Sequence, residues 1–170
     1  MPAAAAAKIA TMIRAAQPAD VPHLVHMIRE LARYERLLDQ CHPEDARLQQ
    51  HLFGERPMCF ALVAEGDGAV VGFALTYLSY STFETAPCLH LEDLFVLPEH
   101  RGNGHGLQLL RAVAQDAVRR GCPRLDWNVL DWNAPAIGFY HAQGARLLAD
   151  WRTCRLDGDA LAAVARAADG

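Results

Sequence analysis

The sequence predicts one mixed α/β domain, in which a central, mostly antiparallel sheet of six to seven strands carries helices on both faces. Three observations lead to this fold class. The chain has 170 residues, which is close to the size of one domain. Its front half holds a turn signal between two strand-like runs, and its back half alternates strand-like and helix-like segments. We interpret the alanine-rich residues 1–8 as a flexible leader and residues 9–170 as the single domain.

The front of the chain predicts a short strand over residues 11–16, a helix that begins after Asp20, and a weaker helix over residues 43–53. Asp20 can cap the first helix, and Pro22 in its first turn needs no hydrogen bond there. Apolar residues recur along this helix at the spacing of one face, at Val21, Leu24, Val25, Ile28, Leu31 and Ala32. One stripe of the helix is therefore predicted to pack on the sheet.

The strongest turn signal is Gly66-Asp67-Gly68, which separates two strand-like runs at residues 59–65 and 70–79. Glycine and aspartate favour the tight turns that close hairpins, so these runs are predicted to pair as antiparallel strands. Residues 89–97 form the next predicted strand.

The back half predicts a helix over residues 107–120 that Gly121 ends, and then a strand over residues 125–130. Asn133 is expected to cap a short helix at 134–141, with Gly144 beyond its end. A last strand is predicted over residues 147–156, and the alanine-rich residues 159–168 favour a helix.

Composition excludes several classes of function. The chain has 16 Lys and Arg against 20 Asp and Glu, and this net acidity argues against a nucleic-acid partner. No run approaches the roughly 20 apolar residues that a membrane span needs. The five cysteines form no C-x-x-C pair, which favours reduced thiols in a cytoplasmic protein. His23 and His26 lack a third ligand at suitable spacing, so no metal site is expected.

A glycine-rich loop, Arg101-Gly-Asn-Gly-His-Gly106, joins the strand at 89–97 to the helix at 107–120. Glycines let the backbone approach a ligand, and a helix start offers free N–H groups to an anion, so the loop predicts a phosphate or pyrophosphate site. A dinucleotide-binding fingerprint is excluded because Leu107 stands where it needs a glycine, and a P-loop because Leu107 and Gln108 follow the last glycine. A glycine-rich turn without a ligand stays the alternative.

The loop matches the R/Q-x-x-G-x-G/A signature of the GNAT acyltransferase superfamily. Further segments resemble its spermidine/spermine N-acetyltransferase subfamily, namely Glu30-Leu-Ala-Arg-Tyr-Glu35, Gly72-Phe-Ala-Leu, Leu91-Glu-Asp-Leu-Phe-Val96, Trp132-Asn-Ala-Pro-Ala-Ile-Gly-Phe-Tyr140 and Gly144-Ala145. The resemblance covers nearly all of residues 11–158. It implies the GNAT fold, acetyl-CoA as the acetyl donor and a primary amine as the acceptor.

The resemblance also implies where the donor binds. The strand backbone would pair with the pantetheine arm, and N–H groups of the loop would hold the pyrophosphate. The cofactor-binding residues expected on this basis are Leu94, Phe95, Val96, Arg101, Gly102, Asn103, Gly104, His105, Gly106, Leu107, Asn133 and Pro135.

Two residues are expected to carry the chemistry. Tyr140 is the general acid that the resemblance implies, and a tyrosine is protonated at neutral pH and can donate to a leaving thiolate. Its alternative role is a core tyrosine beside Ile137. Glu92 interrupts an apolar strand, which suggests a base that takes the proton of the ammonium directly or through water. Its alternative is an edge or bulge residue that faces solvent.

The acceptor is expected to contact Tyr34, Glu35, Glu92 and Asp93. Glu35 has an alternative role as a helix-end carboxylate that pairs with an arginine. The polyamine-acetylating members carry an acidic pair before a Trp-Arg, whereas here only Asp150 precedes Trp151. A diamine or an amino acid such as thialysine is therefore as suitable as a polyamine. The resemblance implies a homodimer. A protein or peptide N-acetyltransferase and a non-catalytic acyl-CoA-binding module remain alternative functions.

Overall fold

A computed structural model describes residues 11–166, so the predicted leader at 1–8 lies outside the described residues. The chain divides into two compact units, Met1–Asn128 and Val129–Gly170, and the whole sheet belongs to the first. The elements in chain order are β1 Met12–Ala15, α1 Val21–Tyr34, α2 Asp45–Phe53, β2 Phe60–Gly66, β3 Ala69–Ser81, β4 Ala86–Val96, α3 His105–Arg119, β5 Leu125–Trp127, α4 Ala134–His141 and α5 Gly158–Arg166.

The sheet is mixed, and its strands lie in the order β1-β2-β3-β4-β5. The first four strands pair antiparallel with their neighbours, and β5 pairs parallel with β4 after the α3 crossover. The predicted hairpin is confirmed. Asp67 and Gly68 adopt positive φ angles of 54° and 78° between β2 and β3, as a tight hairpin turn requires.

Helices pack on both faces of the sheet, as predicted. On one face, α1 and α2 bury Leu24, Met27 and Leu52 against Val63, Phe73 and Phe95 of the strands. Residues next to each other on a strand point to opposite faces, and Gly72 faces Leu109 of α3. A Cβ atom at Gly72 would lie 2.8 Å from the carbonyl oxygen of Phe95, so this position of β3 has no room for a side chain.

Arg14 ties β1, β2 and the start of α1 together. Its Nη1 and Nη2 donate to the Asp20 carboxylate at 2.6 and 3.0 Å, and its Nε donates to Glu65 at 2.6 Å. This guanidinium holds the pKa of Asp20 below its usual range. The sequence predicted that the Asp20 side chain caps α1, and this prediction is wrong. Arg14 and the N–H of Gln17 already donate to the carboxylate oxygens of Asp20.

The second unit departs from the predicted strand over residues 147–156. In the described chain no strand is found there, and β5 ends at Trp127, so the sheet has five strands where six to seven were predicted. Strand-like residues alone do not form a strand, because a strand also needs a neighbouring strand with which to pair.

Within residues 11–166 no helix is long and apolar enough to cross a membrane.

Candidate active site

Several of the predicted site residues of the first unit lie on β4 or directly after it. Its pairing with β3 reaches Val96, whereas its parallel pairing with β5 covers only Leu89 to Leu91. Beyond Leu91, no strand of the described residues pairs with the β5-side edge of β4. The segment from Leu94 to Val96 therefore lies along an unpaired strand edge, to which an extended ligand can hydrogen-bond as a further strand would.

The loop after β4 enters α3 through two glycines in the left-handed region. Gly102 and Gly104 have φ angles of 80° and 87°, and no atom lies within 4 Å of either position for a Cβ. These glycines are thus required by backbone conformation and not by lack of space.

The same turn leaves a row of backbone donors unused. Within the described chain, none of the N–H groups of residues 102–107 donates a hydrogen bond, and the first to do so is that of Gln108, to the oxygen of Gly104 at 3.0 Å. These donors lie at the positive end of the α3 dipole. The arrangement suits a diphosphate, as the sequence predicted.

His105, the first residue of α3, anchors this turn to the sheet. Its imidazole is buried, and its Nδ1 lies 2.9 Å from the hydroxyl of Thr11 beside β1. Its ring also packs on Gly66, where an added Cβ would lie 3.1 Å from the imidazole Cε1. Burial and the neighbouring His100 lower the pKa of His105. Its imidazole is therefore held in the interior, and its backbone N–H is the group that it offers to a ligand.

The side chain of Arg101 joins the loop to β4 and to the end of α1. Its Nε donates to the carbonyl oxygen of Val96 at 2.9 Å. Its guanidinium carbon lies 5.2 Å from the ring centroid of Tyr34 and 5.4 Å from that of Phe95. Such cation–π contacts hold three elements of the candidate site in one cluster.

A β-bulge separates the two acidic residues of β4. Leu91 pairs with Thr76 and Asp93 pairs with Leu75, so Glu92 is an extra residue between them. The Glu92 side chain is 54% exposed, and its carboxylate lies 3.9 Å from Nε2 of His90. Glu92 is therefore a bulge residue near solvent, which was the alternative considered for it.

Asp93 lies in a different environment. It is partly buried on the same face as Phe95, and within residues 11–166 no side chain or N–H group pairs with its carboxylate. Burial, assisted by the negative charges of Glu92 and Glu35, raises the pKa of Asp93 to about 7. Burial also raises the pKa of Glu35, which follows the last residue of α1.

The remaining predicted residues lie together on α4, in the second unit. The carboxamide oxygen of Asn133 accepts from the N–H of Ala136 at 3.3 Å, which confirms Asn133 as the cap of this helix. Pro135 occupies the first turn, where it costs no hydrogen bond. Tyr140 lies near the other end of α4, with its ring centroid 5.2 Å from that of Phe139.

The first unit thus brings together the predicted residues from α1, β4 and the glycine loop. Sequence reasoning missed one feature of this cluster. A lone threonine before a strand is ordinary, so no signal pointed to Thr11 as the partner of His105. The bulge at Glu92 was considered from the sequence, as the alternative to a catalytic role. Within residues 11–166, no group of three or more His, Cys, Asp and Glu residues is arranged to hold a metal ion.

Comparison with protein families gives one match that covers most of the chain. The description of that family is Acetyltransferase (GNAT) family, and the match extends over residues 24–145. It therefore includes α1 from Leu24 onward, the whole of β4, the glycine loop and α4.

Individual proteins agree with this match. The chain is 40% identical to a thialysine N-epsilon-acetyltransferase of Bos taurus, over 91% of this chain and 96% of the relative. It is 32% identical to an L-ornithine N5-acetyltransferase of Arabidopsis thaliana, over 89% of this chain and 86% of the relative. Among solved structures, an integron cassette protein of V. cholerae superposes with a TM-score of 0.76 at 29% identity, over 92% of this chain and 98% of that one.

The burial of Asp93 generates a prediction for stability. Its raised pKa means that the folded protein holds a proton that the unfolded chain, with a pKa near 3.9, releases; stability therefore falls as pH rises from about 4 to about 7. Asp93→Asn removes this penalty. The free energy of unfolding of Asp93→Asn, relative to that of the wild type, should increase by up to about 3 kcal/mol between pH 5 and pH 8, because each unit of pKa shift is worth about 1.4 kcal/mol.

Urea denaturation at the two pH values measures this gain. Asp39→Asn, at an exposed aspartate, is the matched control and should show no such pH-dependent gain. A gain for Asp93→Asn that is equal at both pH values would contradict the assigned burial penalty.

Proposed function

This chain belongs to the Acetyltransferase (GNAT) family and is an N-acetyltransferase, and from that premise we propose that it moves the acetyl group of acetyl-CoA to the primary amine of a small cationic acceptor. One observation carries the proposal. The unused N–H groups of residues 102–107 begin nine residues after the unpaired carboxylate of Asp93, with the unpaired β4 edge between them. An anion-binding turn and a cation-binding strand segment thus adjoin.

The residues fit a coenzyme A thioester. Its diphosphate would accept hydrogen bonds from the N–H groups of the loop, and its pantetheine amides would pair with the β4 edge at Leu94 to Val96. Asn133 and Pro135, at the start of α4, are the further cofactor-binding residues that we propose. When bound, the thioester supplies an acetyl carbonyl and a thiolate leaving group.

The acceptor amine requires a negative environment and a base. Alkyl ammonium groups titrate near 10, so the acceptor arrives protonated and must lose a proton before it attacks. Glu35, Glu92 and Asp93 supply carboxylates from the end of α1 and from β4 that attract and orient it. The freed nitrogen would then attack the acetyl carbon directly, in a ternary complex, with loss of its second proton to water as the carbon–sulfur bond breaks.

We assign the protonation of the leaving thiolate to Tyr140. A phenol is protonated at neutral pH and can donate its proton to the departing thiolate. The capped helix α4 restricts the position of this ring. The names of the two relatives specify acetylation at the amines N-epsilon and N5. We therefore favour an amino acid with a side-chain amine, with diamines and polyamines as further acceptors.

An acetylation screen tests the proposal. Acetyl-CoA is incubated with thialysine, ornithine, lysine, diamines, spermidine and a peptide panel, and CoA release is measured together with the mass of the product. Turnover with the free amines and none with peptides is expected. Turnover with peptides alone supports protein acetylation instead, and CoA binding without turnover of any amine supports a non-catalytic module.

Replacement of Gly104 tests the anion-binding turn. Gly104→Val forces a β-branched residue into a left-handed conformation, at a cost of about 1–2 kcal/mol, or moves the N–H groups out of line. Calorimetry should show CoA binding weakened about tenfold or more, which corresponds to about 1.4 kcal/mol.

Gly121→Val is the matched control, because Gly121 has a φ angle of 70° just beyond the opposite end of α3. It should reduce stability and leave CoA affinity unchanged. Equal CoA affinity in the Gly104 variant and the wild type would show that the turn does not hold the diphosphate.

Replacement of Tyr140 tests the general acid. Tyr140→Phe should lower kcat by about 10²- to 10⁴-fold with little change in the KM for acetyl-CoA, because the loss concerns the leaving group and not binding. Tyr80→Phe, at an exposed position on β3, is the control and should retain wild-type kcat. Full turnover in Tyr140→Phe would remove this residue from the mechanism.

The homodimer that the resemblance implies stays a prediction, to be checked by light scattering.

A further inference from the structure

We infer that Thr11 and His105 are positioning residues for acetyl-CoA, because the contact between their side chains holds the turn at residues 102–107 in the conformation that presents its N–H groups to the diphosphate. This inference rests on the proposed function, in which that turn binds the diphosphate. The imidazole of His105 and the hydroxyl of Thr11 touch neither the donor nor the acceptor. They act through the backbone of the turn.

The turn itself has few side chains to hold it. Gly102 and Gly104 contribute none, and outside their chain neighbours no described atom lies within 4 Å of the position of either missing Cβ atom. Asn103 between them is exposed, and its Nδ2 donates to the carbonyl oxygen of His100 at 3.3 Å. Glycine loses more conformational freedom than any other residue when it is ordered, so such a turn binds weakly unless neighbouring groups hold it in place beforehand.

The residues at the two ends of the turn supply this support. At the start, the Nε of Arg101 donates to the carbonyl oxygen of Val96 at 2.9 Å. At the other end, His105 is only 4% exposed, and its Nδ1 lies 2.9 Å from the hydroxyl of Thr11. His105 is the first residue of α3 and directly follows Gly104. A displacement of its ring therefore moves the N–H groups at the start of the helix.

The groups that hold His105 are themselves held by the sheet. Thr11 directly precedes β1, and Arg14 of that strand donates to Glu65 of β2 at 2.6 Å. The imidazole also packs against Gly66 at the end of β2, where an added Cβ would lie 3.1 Å from its Cε1. The imidazole thus contacts β2 and the residue before β1, and these strands are paired and joined by an ion pair.

A hydroxyl is a suitable partner for this imidazole. Burial and the neighbouring His100 lower the pKa of His105, so the ring is neutral at pH 7. A neutral imidazole has one nitrogen that donates and one that accepts, and a hydroxyl can fill either role opposite Nδ1. Valine has the shape of threonine but can fill neither role, whereas serine keeps the hydroxyl. Substitutions at Thr11 therefore separate the hydrogen bond from the space that the side chain fills.

Calorimetric titration with CoA tests the inference without an acceptor. Thr11→Val should weaken CoA binding about three- to tenfold, which is the range for the net loss of one buried hydrogen bond. Thr11→Ser should bind CoA within about twofold of the wild type. His105→Leu should weaken CoA binding at least as much as Thr11→Val. The double variant should bind no more weakly than His105→Leu alone, because the two residues act through one contact.

Thr76→Val is the matched control. The hydroxyl of Thr76, buried in β3, donates to the carbonyl oxygen of Phe60 at 3.5 Å. This variant should lower stability and leave CoA affinity unchanged.

Steady-state kinetics separates positioning from a general loss of folded enzyme. Thr11→Val should raise the KM for acetyl-CoA by about the factor by which it weakens CoA binding, with kcat and the KM of the amine unchanged. A merely structural role would instead lower the amount of active enzyme, and with it the apparent kcat, and would leave the KM for acetyl-CoA unchanged.

The inference is overturned if Thr11→Val binds CoA as tightly as the wild type, or if Thr11→Ser weakens binding as much as Thr11→Val. It is also overturned if the effects of Thr11→Val and His105→Leu on CoA affinity multiply in the double variant. Urea denaturation checks that each variant is folded, and if His105→Leu is not, the comparison of the two Thr11 variants decides. Absence of CoA binding in the wild type would instead overturn the proposed function itself.

Discussion

The β-bulge at Glu92 is the constraint on which the arrangement of the candidate site depends. Side chains alternate between the faces of a strand, so one extra residue moves every later residue to the other face. Before the bulge, Leu89 and Leu91 lie opposite Leu78 and Thr76. After it, Asp93 and Phe95 lie opposite Leu75 and Phe73, on the α1 side. Without the bulge, Asp93 and Phe95 would share the face of Leu91.

The bulge also lies where β4 stops pairing with β5. The parallel ladder ends at Leu91, and β4 continues to Val96 with one edge unpaired. The strand then runs into a turn whose glycines adopt angles that other residues avoid, and that turn starts α3 with its N–H groups unused. Thr11 and Gly66 hold the buried His105, and Arg101 holds the loop against Val96. The turn that we propose to bind the diphosphate is thereby fixed from two sides.

The sequence predicted those parts of the fold whose causes are local. The turn at Gly66-Asp67-Gly68, the apolar stripe of α1 and the Asn133 cap each depend on a few neighbouring residues, and each is found as predicted. Sequence reasoning was wrong where the outcome depends on distant partners. The strand predicted over residues 147–156 has no strand to pair with among the described residues, and Asp20 is engaged by Arg14 instead of capping α1.

The same distinction applies to the site. The glycine spacing and the Glu-Asp pair are visible in the sequence, and they located the loop and the acidic strand. The sequence could not show which carboxylate is buried, because that follows from the register between β3 and β4. A residue-by-residue pattern treats Glu92 and Asp93 alike, and the pairing of Asp93 with Leu75 makes them different.

The burial of Asp93 has a physical consequence that connects stability with chemistry. The fold keeps a carboxyl next to two other acidic residues, with no cation among the described residues paired to it, and this arrangement opposes ionisation near neutral pH. A structural role alone would favour an apolar or amide side chain at this position, since either would avoid the penalty. A positive charge that binds beside the carboxylate relieves this penalty. The relief of the penalty then contributes to the binding free energy of a cation. Such a site favours an ammonium over a neutral molecule of the same shape, and its preference follows from the buried charge itself.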